Sequence, residues 1–182
     1  MREKNKTATE FIDLGKKLSN LCRQNRVTFI VNDDPFLAKE VDADGVHLGQ
    51  DDILKVSVKE ARAMLGPGKI IGLSTESCYQ AEVANKEDVD YIGYGPVFHT
   101  AVKDNCVGTK DVGRALEISR RPVVFIGGIT LSNVDELLKK GAKNISVIRA
   151  ITEADDITLA TRDFRSKLDD ARKGLIKSGK IT

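Results

Sequence analysis

Apolar residues along this chain alternate between two spacings. Short runs at 27–31, 45–48, 70–73, 91–94, 123–126 and 145–148 are dense in β-branched and aromatic residues. Runs this short and this continuously apolar are expected of parallel strands buried on both faces. Between them the apolar positions return every three or four residues. Phe11, Leu14, Leu18 and Leu21 predict a helix over 9–23 with Thr9 as its cap. Val58, Ala61 and Leu65 predict another over 57–65, stopped by Gly66-Pro67-Gly68. Val134, Leu137 and Leu138 predict a third over 132–140, with Lys139 and Lys140 in its last turn and Gly141 behind it.

Strand–helix alternation of this kind implies an α/β fold with a parallel sheet. A closed barrel is favoured over an open sheet, because chemically distinctive residues follow nearly every strand, where barrel active sites form. The expected class is a (β/α)8 TIM-barrel type. Six strands can be counted where eight are needed, so the barrel is expected to lack its first strand, first helix and most of its second strand. Residues 1–170 then form one barrel domain, and 171–182 form a basic C-terminal tail. Unpaired edges at 27–31 and 145–148 would seek partners, which predicts a homo-oligomer.

Composition narrows the function classes. The 182 residues suit one domain, and 41% hydrophobic with 31% charged is a globular profile. Twenty-nine basic against 27 acidic residues, with 5% aromatics, gives no general reason to expect nucleic acid. Three cysteines without a CxxC pair argue against a disulfide framework or a zinc site, which fits a reducing cytoplasm. No apolar run approaches the ~20 residues of a membrane span, and the basic start leads into no signal-peptide core.

Candidate chemistry gathers after the strands. Asn32-Asp33 and Gln50-Asp51-Asp52 end two consecutive runs, and two carboxylates at a barrel mouth can hold a hard cation such as Mg²⁺. Helix caps and turns are the competing explanation for these aspartates. Phe125-Ile126-Gly127-Gly128-Ile129-Thr130 runs from a strand through a glycine pair toward a helix, a form suited to a phosphate group. The long loop from Gly95 to Asp104 carries Thr100 and Lys103, both natural phosphate ligands, and His99. Arg2 and Lys4 alternate, so on a strand both would face one anion.

These residues together resemble the thiamine-phosphate synthase (thiamine-phosphate pyrophosphorylase) family, which also contains thiazole tautomerases of the TenI type. The resemblance rests on Arg2-Glu3-Lys4, Asn32-Asp33, the run from Ala43 to Asp52, Ile71-Gly72-Leu73-Ser74, Asp90 to Phe98, Gly108, Ile126 to Thr130 and Ser146 to Ile151. It implies a Mg²⁺-assisted condensation. A hydroxymethylpyrimidine diphosphate loses pyrophosphate by C–O dissociation, and the nitrogen of a hydroxyethylthiazole phosphate captures the resulting cation to give thiamine phosphate. It also implies roles: Arg2, Lys4 and Lys103 hold the diphosphate, and Asp33 and Asp52 bind the metal. Asn32 and Ser74 would contact the pyrimidine, and Thr100, Gly128 and Ile148 the thiazole phosphate.

Departures from the family pattern fall mainly on the thiazole side. Val102 stands for a second threonine, His99 for a usual proline and Arg149 for a serine, while a glutamine before Arg2 has no counterpart. A guanidinium at 149 can still pair with a phosphate. A TenI-like tautomerase and a non-catalytic phosphate-ligand binder are the alternatives.

Overall fold

The protein is described by a computed structural model covering residues 1–100 and 106–177. Among these residues it forms six strands: β1 (Ile30–Asn32), β2 (Gly45–Leu48), β3 (Ile70–Thr75), β4 (Tyr91–Tyr94), β5 (Val123–Ile126) and β6 (Asn144–Ser146). They are hydrogen-bonded in chain order, and each registered pair is parallel. Neighbouring parallel strands need a crossover between them. Helices α1 (Ala8–Gln24), α2 (Pro35–Glu40), α3 (Val58–Leu65), α4 (Cys78–Ala84), α5 (Val112–Ile118), α6 (Val134–Lys139), α7 (Arg149–Thr152) and α8 (Ile157–Lys177) supply the crossovers and flanks.

The chain divides into two compact units, 1–75 with 83–92, and 76–82 with 93–182. β4 contributes its first two residues to one and its last two to the other.

In the first unit, β1–β3 bury Val31, Val46, Leu48, Ile71 and Leu73, and the helices bury Phe11, Ala38 and Ala61. Two helices open with capping boxes, Thr7 with Glu10 and Ser57 with Glu60, in which each side chain satisfies a backbone N–H that the helix leaves unpaired. The α1 cap is thus Thr7 and not Thr9, because Thr7 has its glutamate partner three residues on. α3 stops at Gly66, whose φ of 94° lies in the left-handed region. Arg62 of α3 reaches the ends of neighbouring segments, with Nε 2.9 Å from Asp88 and Nη2 2.7 Å from Asp90. Asp90 in turn accepts the Ile71 N–H at 2.7 Å.

In the second unit, Tyr94 and Phe125 pack edge-to-face at 5.9 Å among buried Val112, Val123, Val134 and Leu137. α8 continues to Lys177, so residues 171–177, expected as tail, are helical.

Candidate active site

Register sets the first cluster of polar groups. Asn32 of β1 lies opposite His47 of β2, and His47 lies opposite Gly72 of β3. Asn32, Asp33, the 50–52 turn and Ser74 therefore all stand at or just beyond the C-terminal ends of three adjacent parallel strands. The chain start joins them. The Met1 amine donates to the Ile30 carbonyl, and the Asn32 N–H donates to the Met1 carbonyl at 2.9 Å. This is the bond pattern of a parallel bridge centred on Val31, and it delivers Arg2 and Lys4 to the same strand ends.

Asp33 is bent into position. Its φ is +75°, a region that aspartate tolerates better than most side chains, and its N–H donates to the His47 carbonyl at 2.8 Å. Burial holds its carboxyl above the usual range, and the negative charge of Asp52 adds to that effect. The cations Arg2 and Lys4 and the Asn32 amide oppose it. Asp52 accepts the Gly49 N–H at 2.8 Å, which fixes one of its oxygens and closes the 49–52 turn. Asp33, Asp34, Asp52, Lys55 and Val56 line a cavity of about 240 Å³. Asp34 is a cap, accepting from Phe36 and Leu37 at the start of α2. The capping explanation therefore holds for Asp34 but not for Asp33.

Two carboxylates beside one cavity, with oxygen donors only, fit a hard divalent cation. No cluster of three or more His, Cys, Asp or Glu side chains suited to a metal occurs among the described residues. Two aspartates leave the remaining positions to water and phosphate oxygens, which is the habit of Mg²⁺.

One polar group here was not singled out from the sequence. His47 places Nε2 2.9 Å from Ser74 Oγ and Nδ1 2.9 Å from Tyr91 Oη, with its ring stacked on that of Tyr91. Burial depresses its pKa to about 4 against a weaker pull from Asp52, so the imidazole is neutral in the working range. Burial pushes the Tyr91 hydroxyl up to about 12. Gln50 Nε2 donates to the Ser74 carbonyl at 2.5 Å, which pins that residue's backbone. In sequence His47 is simply one member of an apolar strand run. Its partners lie 27 and 44 residues away, and no local spacing reveals them.

The second unit carries the glycine pair. Ile126 of β5 is registered with Ser146 of β6, so Gly128 and Ile148 occupy matching positions two residues past their strands. Gly127 and Gly128 have φ of 102° and 62°. Asn133 ties the turn, its amide donating to the Gly128 carbonyl and its oxygen accepting from Thr130 N–H. The loop after β4 runs alongside, with Val97 N–H donating to Ile126 and Phe98 N–H to Gly127. A methyl group on Gly128 would meet the His99 carbonyl at 2.4 Å and Phe98 Cβ at 2.8 Å. This glycine is therefore required first by its neighbouring loop. Ile148 precedes α7 and is exposed, as is Arg149 in the first turn. His99 is exposed, Thr100 is half-buried and has a partner, and Lys103 and Val102 lie outside the described residues.

A larger groove of about 420 Å³ lies near Arg23, Arg26 and Lys69. It borders the residues that precede β1 and β3, at the strand ends opposite the carboxylates. Arg23 and Lys69 are already paired with Asp42.

Comparison with known proteins places these features in a family. Residues 1–151 match the family described as thiamine monophosphate synthase. A thiamine-phosphate synthase of Haloarcula marismortui is 44% identical over 178 residues, covering 94% of this chain and 83% of that protein. One from Parasynechococcus marenigrum is 44% identical over 155 residues, and there this chain spans 84% of its own length and 44% of the relative's. Among solved structures, the thiamine phosphate pyrophosphorylase of Pyrococcus furiosus superposes with a TM-score of 0.86 at 37% identity, over 94% of this chain and 82% of that one. The fold is accordingly of the (β/α) TIM-barrel type. The chain belongs to the thiamine monophosphate synthase family and is a transferase of the thiamine-phosphate synthase class.

Proposed function

We propose that the chain joins a hydroxymethylpyrimidine diphosphate to a hydroxyethylthiazole phosphate, with Asp33 and Asp52 holding Mg²⁺. The observation that carries this reading is that Asp33 and Asp52 line one cavity, where burial and then the charge of Asp52 raise the Asp33 carboxyl and Arg2 and Lys4 oppose them. Bound between these aspartates, Mg²⁺ would neutralise charge on a diphosphate leaving group.

Arg2 and Lys4 pair with the diphosphate oxygens, joined by Lys103, so that negative charge gathering on the leaving group meets fixed cations. Asn32 and Ser74 orient the pyrimidine ring. The C–O bond breaks with its electron pair going to pyrophosphate, and the thiazole nitrogen supplies the pair that forms the new C–N bond. Thr100, Gly128, Ile148 and Arg149 hold the thiazole phosphate, Gly128 through its backbone at a left-handed turn. Holding both reactants in place removes most of the entropy barrier to their encounter.

No helix among the described residues is long and apolar enough to cross a membrane. Cys22, Cys78 and Cys106 are free thiols, which supports a reducing cytoplasm as the working compartment. A homo-oligomer is the proposed assembly, since β1 and β6 end the strand order. Sedimentation at several concentrations checks it, and a monomer throughout would reject it.

The functional test is incubation with both substrates and Mg²⁺, with thiamine phosphate followed by chromatography. Product that vanishes on chelation and returns with Mg²⁺ is the expected result. Isomerisation of a thiazole without condensation would favour a TenI-like tautomerase instead, and saturable binding with no product would favour a non-catalytic binder.

A further inference from the structure

We propose that His47 is a positioning residue that makes the Ser74 hydroxyl a hydrogen-bond donor toward a ring nitrogen of the bound heterocycle. The proposal rests on the reading that Ser74 contacts the pyrimidine. Its own basis is the chain of groups Tyr91 Oη, His47 Nδ1, His47 Nε2 and Ser74 Oγ, each link 2.9 Å.

A neutral imidazole has one N–H and one bare nitrogen, so the chain runs in one direction or the other. A phenol is a stronger donor than acceptor, and a bare imidazole nitrogen is a strong acceptor. Tyr91 therefore donates to Nδ1. Nε2 must then carry the proton and donate it to Ser74 Oγ. With one lone pair occupied, the serine keeps its own proton for a partner outside the chain. The opposite direction would consume that proton on Nε2 and leave the serine able only to accept. An aromatic nitrogen carries an in-plane lone pair and no proton, so only the first direction recognises it. An exocyclic amine would suit the second.

The surroundings hold the ring in this pose. Gly72 lies opposite His47 in the register, and a Cβ there would come within 2.2 Å of the Tyr91 ring and 2.5 Å of His47 Nδ1. The absence of a side chain at 72 is what lets the two rings stack. The Gln50 amide, bonded to the Ser74 carbonyl, keeps the serine from following a displaced histidine.

The test is a steady-state series read separately for each substrate. His47→Asn, whose amide falls short of Ser74, should raise KM for the pyrimidine diphosphate about tenfold, roughly the worth of one hydrogen bond of this kind, and leave KM for the thiazole phosphate unchanged. His47→Gln places an N–H₂ donor near the old Nε2 and should restore most of that loss. In a Ser74→Ala background, His47→Asn should add nothing further. Equal losses in both backgrounds, or no rescue by glutamine, would overturn the positioning role while leaving the Ser74 contact intact. An unchanged pyrimidine KM in Ser74→Ala alone would instead remove the Ser74 contact and the proposal with it. Direction is read on the unsubstituted protein by nitrogen-15 NMR of its two histidines, His47 and His99, with His99→Gln for assignment. A His47 proton on Nε2 is expected, and a proton on Nδ1 would reject the donor assignment.

Discussion

Acid should unfold this protein partly through His47, and the size of the effect follows from its environment. The ring is buried against Tyr91 and Ser74, with Asp52 the charge that partly offsets the burial. Its folded pKa of about 4 lies below the ordinary 6.5. A depressed folded pKa means the unfolded chain takes the proton first. Stability from the neutral ring is therefore intact above 6.5, declines as pH falls below it, and is fully lost once pH drops past about 4. The gap of about 2.5 units at about 1.36 kcal/mol each gives a total on the order of 3 kcal/mol, of which about 2 is gone by pH 5. Asp33, whose carboxyl is raised, works in the opposite sense, so the histidine must be isolated by difference. Urea unfolding of the native chain and of His47→Gln from about pH 7.5 to about pH 4.5 provides that difference. The native chain should lose its advantage, or deepen its deficit, by roughly one kcal/mol per pH unit below 6.5. A difference flat across the range would refute the reasoning, since it would mean His47 is protonated as easily folded as unfolded.

Other outcomes follow from the same geometry. Asp52→Asn should keep the fold, because the amide oxygen can still accept from Gly49, yet lose most turnover; an unchanged magnesium titration would remove Asp52 from the metal site. The same variant should lower the Asp33 pKa by removing its like-charged neighbour, which carboxylate NMR would register. Gly128→Ala should weaken thiazole-phosphate binding and also lower the melting temperature, because the methyl group meets the 98–99 backbone before any ligand; equal affinity by calorimetry would place the phosphate elsewhere. Arg62→Ala should cost about 2 kcal/mol in urea unfolding through its lost bonds to Asp88 and Asp90, with kcat unchanged, since Arg62 touches none of the reacting groups.

The strands were legible where burial alone decides them. β2 and β5 begin and end where their apolar runs do, and neither strand holds an exposed residue. β1 was displaced. Val27 is exposed, and the strand runs on to the polar Asn32, whose N–H is held by the Met1 carbonyl. A bond to a residue 31 positions away leaves no trace in local pattern. α2, α4, α5 and α7 have seven residues or fewer; α6 is as short but was marked by its lysines and the glycine behind it as well as by its spacing. The candidate site was proposed from its carboxylates and glycines, which are unusual in place and kind. His47 was hidden because its partners meet it only once three separate segments come together.

Asp33 bears on how this protein could be changed. An aspartate at a φ of +75° sits in a conformation that glycine adopts without strain, and the difference is worth roughly 1–2 kcal/mol. On the metal-binding role proposed for Asp33, the position sets durability against turnover. A library selected only for heat resistance should drift toward glycine at 33 and lose the carboxylate, whereas one selected for product should retain the aspartate at the expense of melting temperature. Engineering that seeks both must find its added stability in helices other than α2, which begins two residues after this bend.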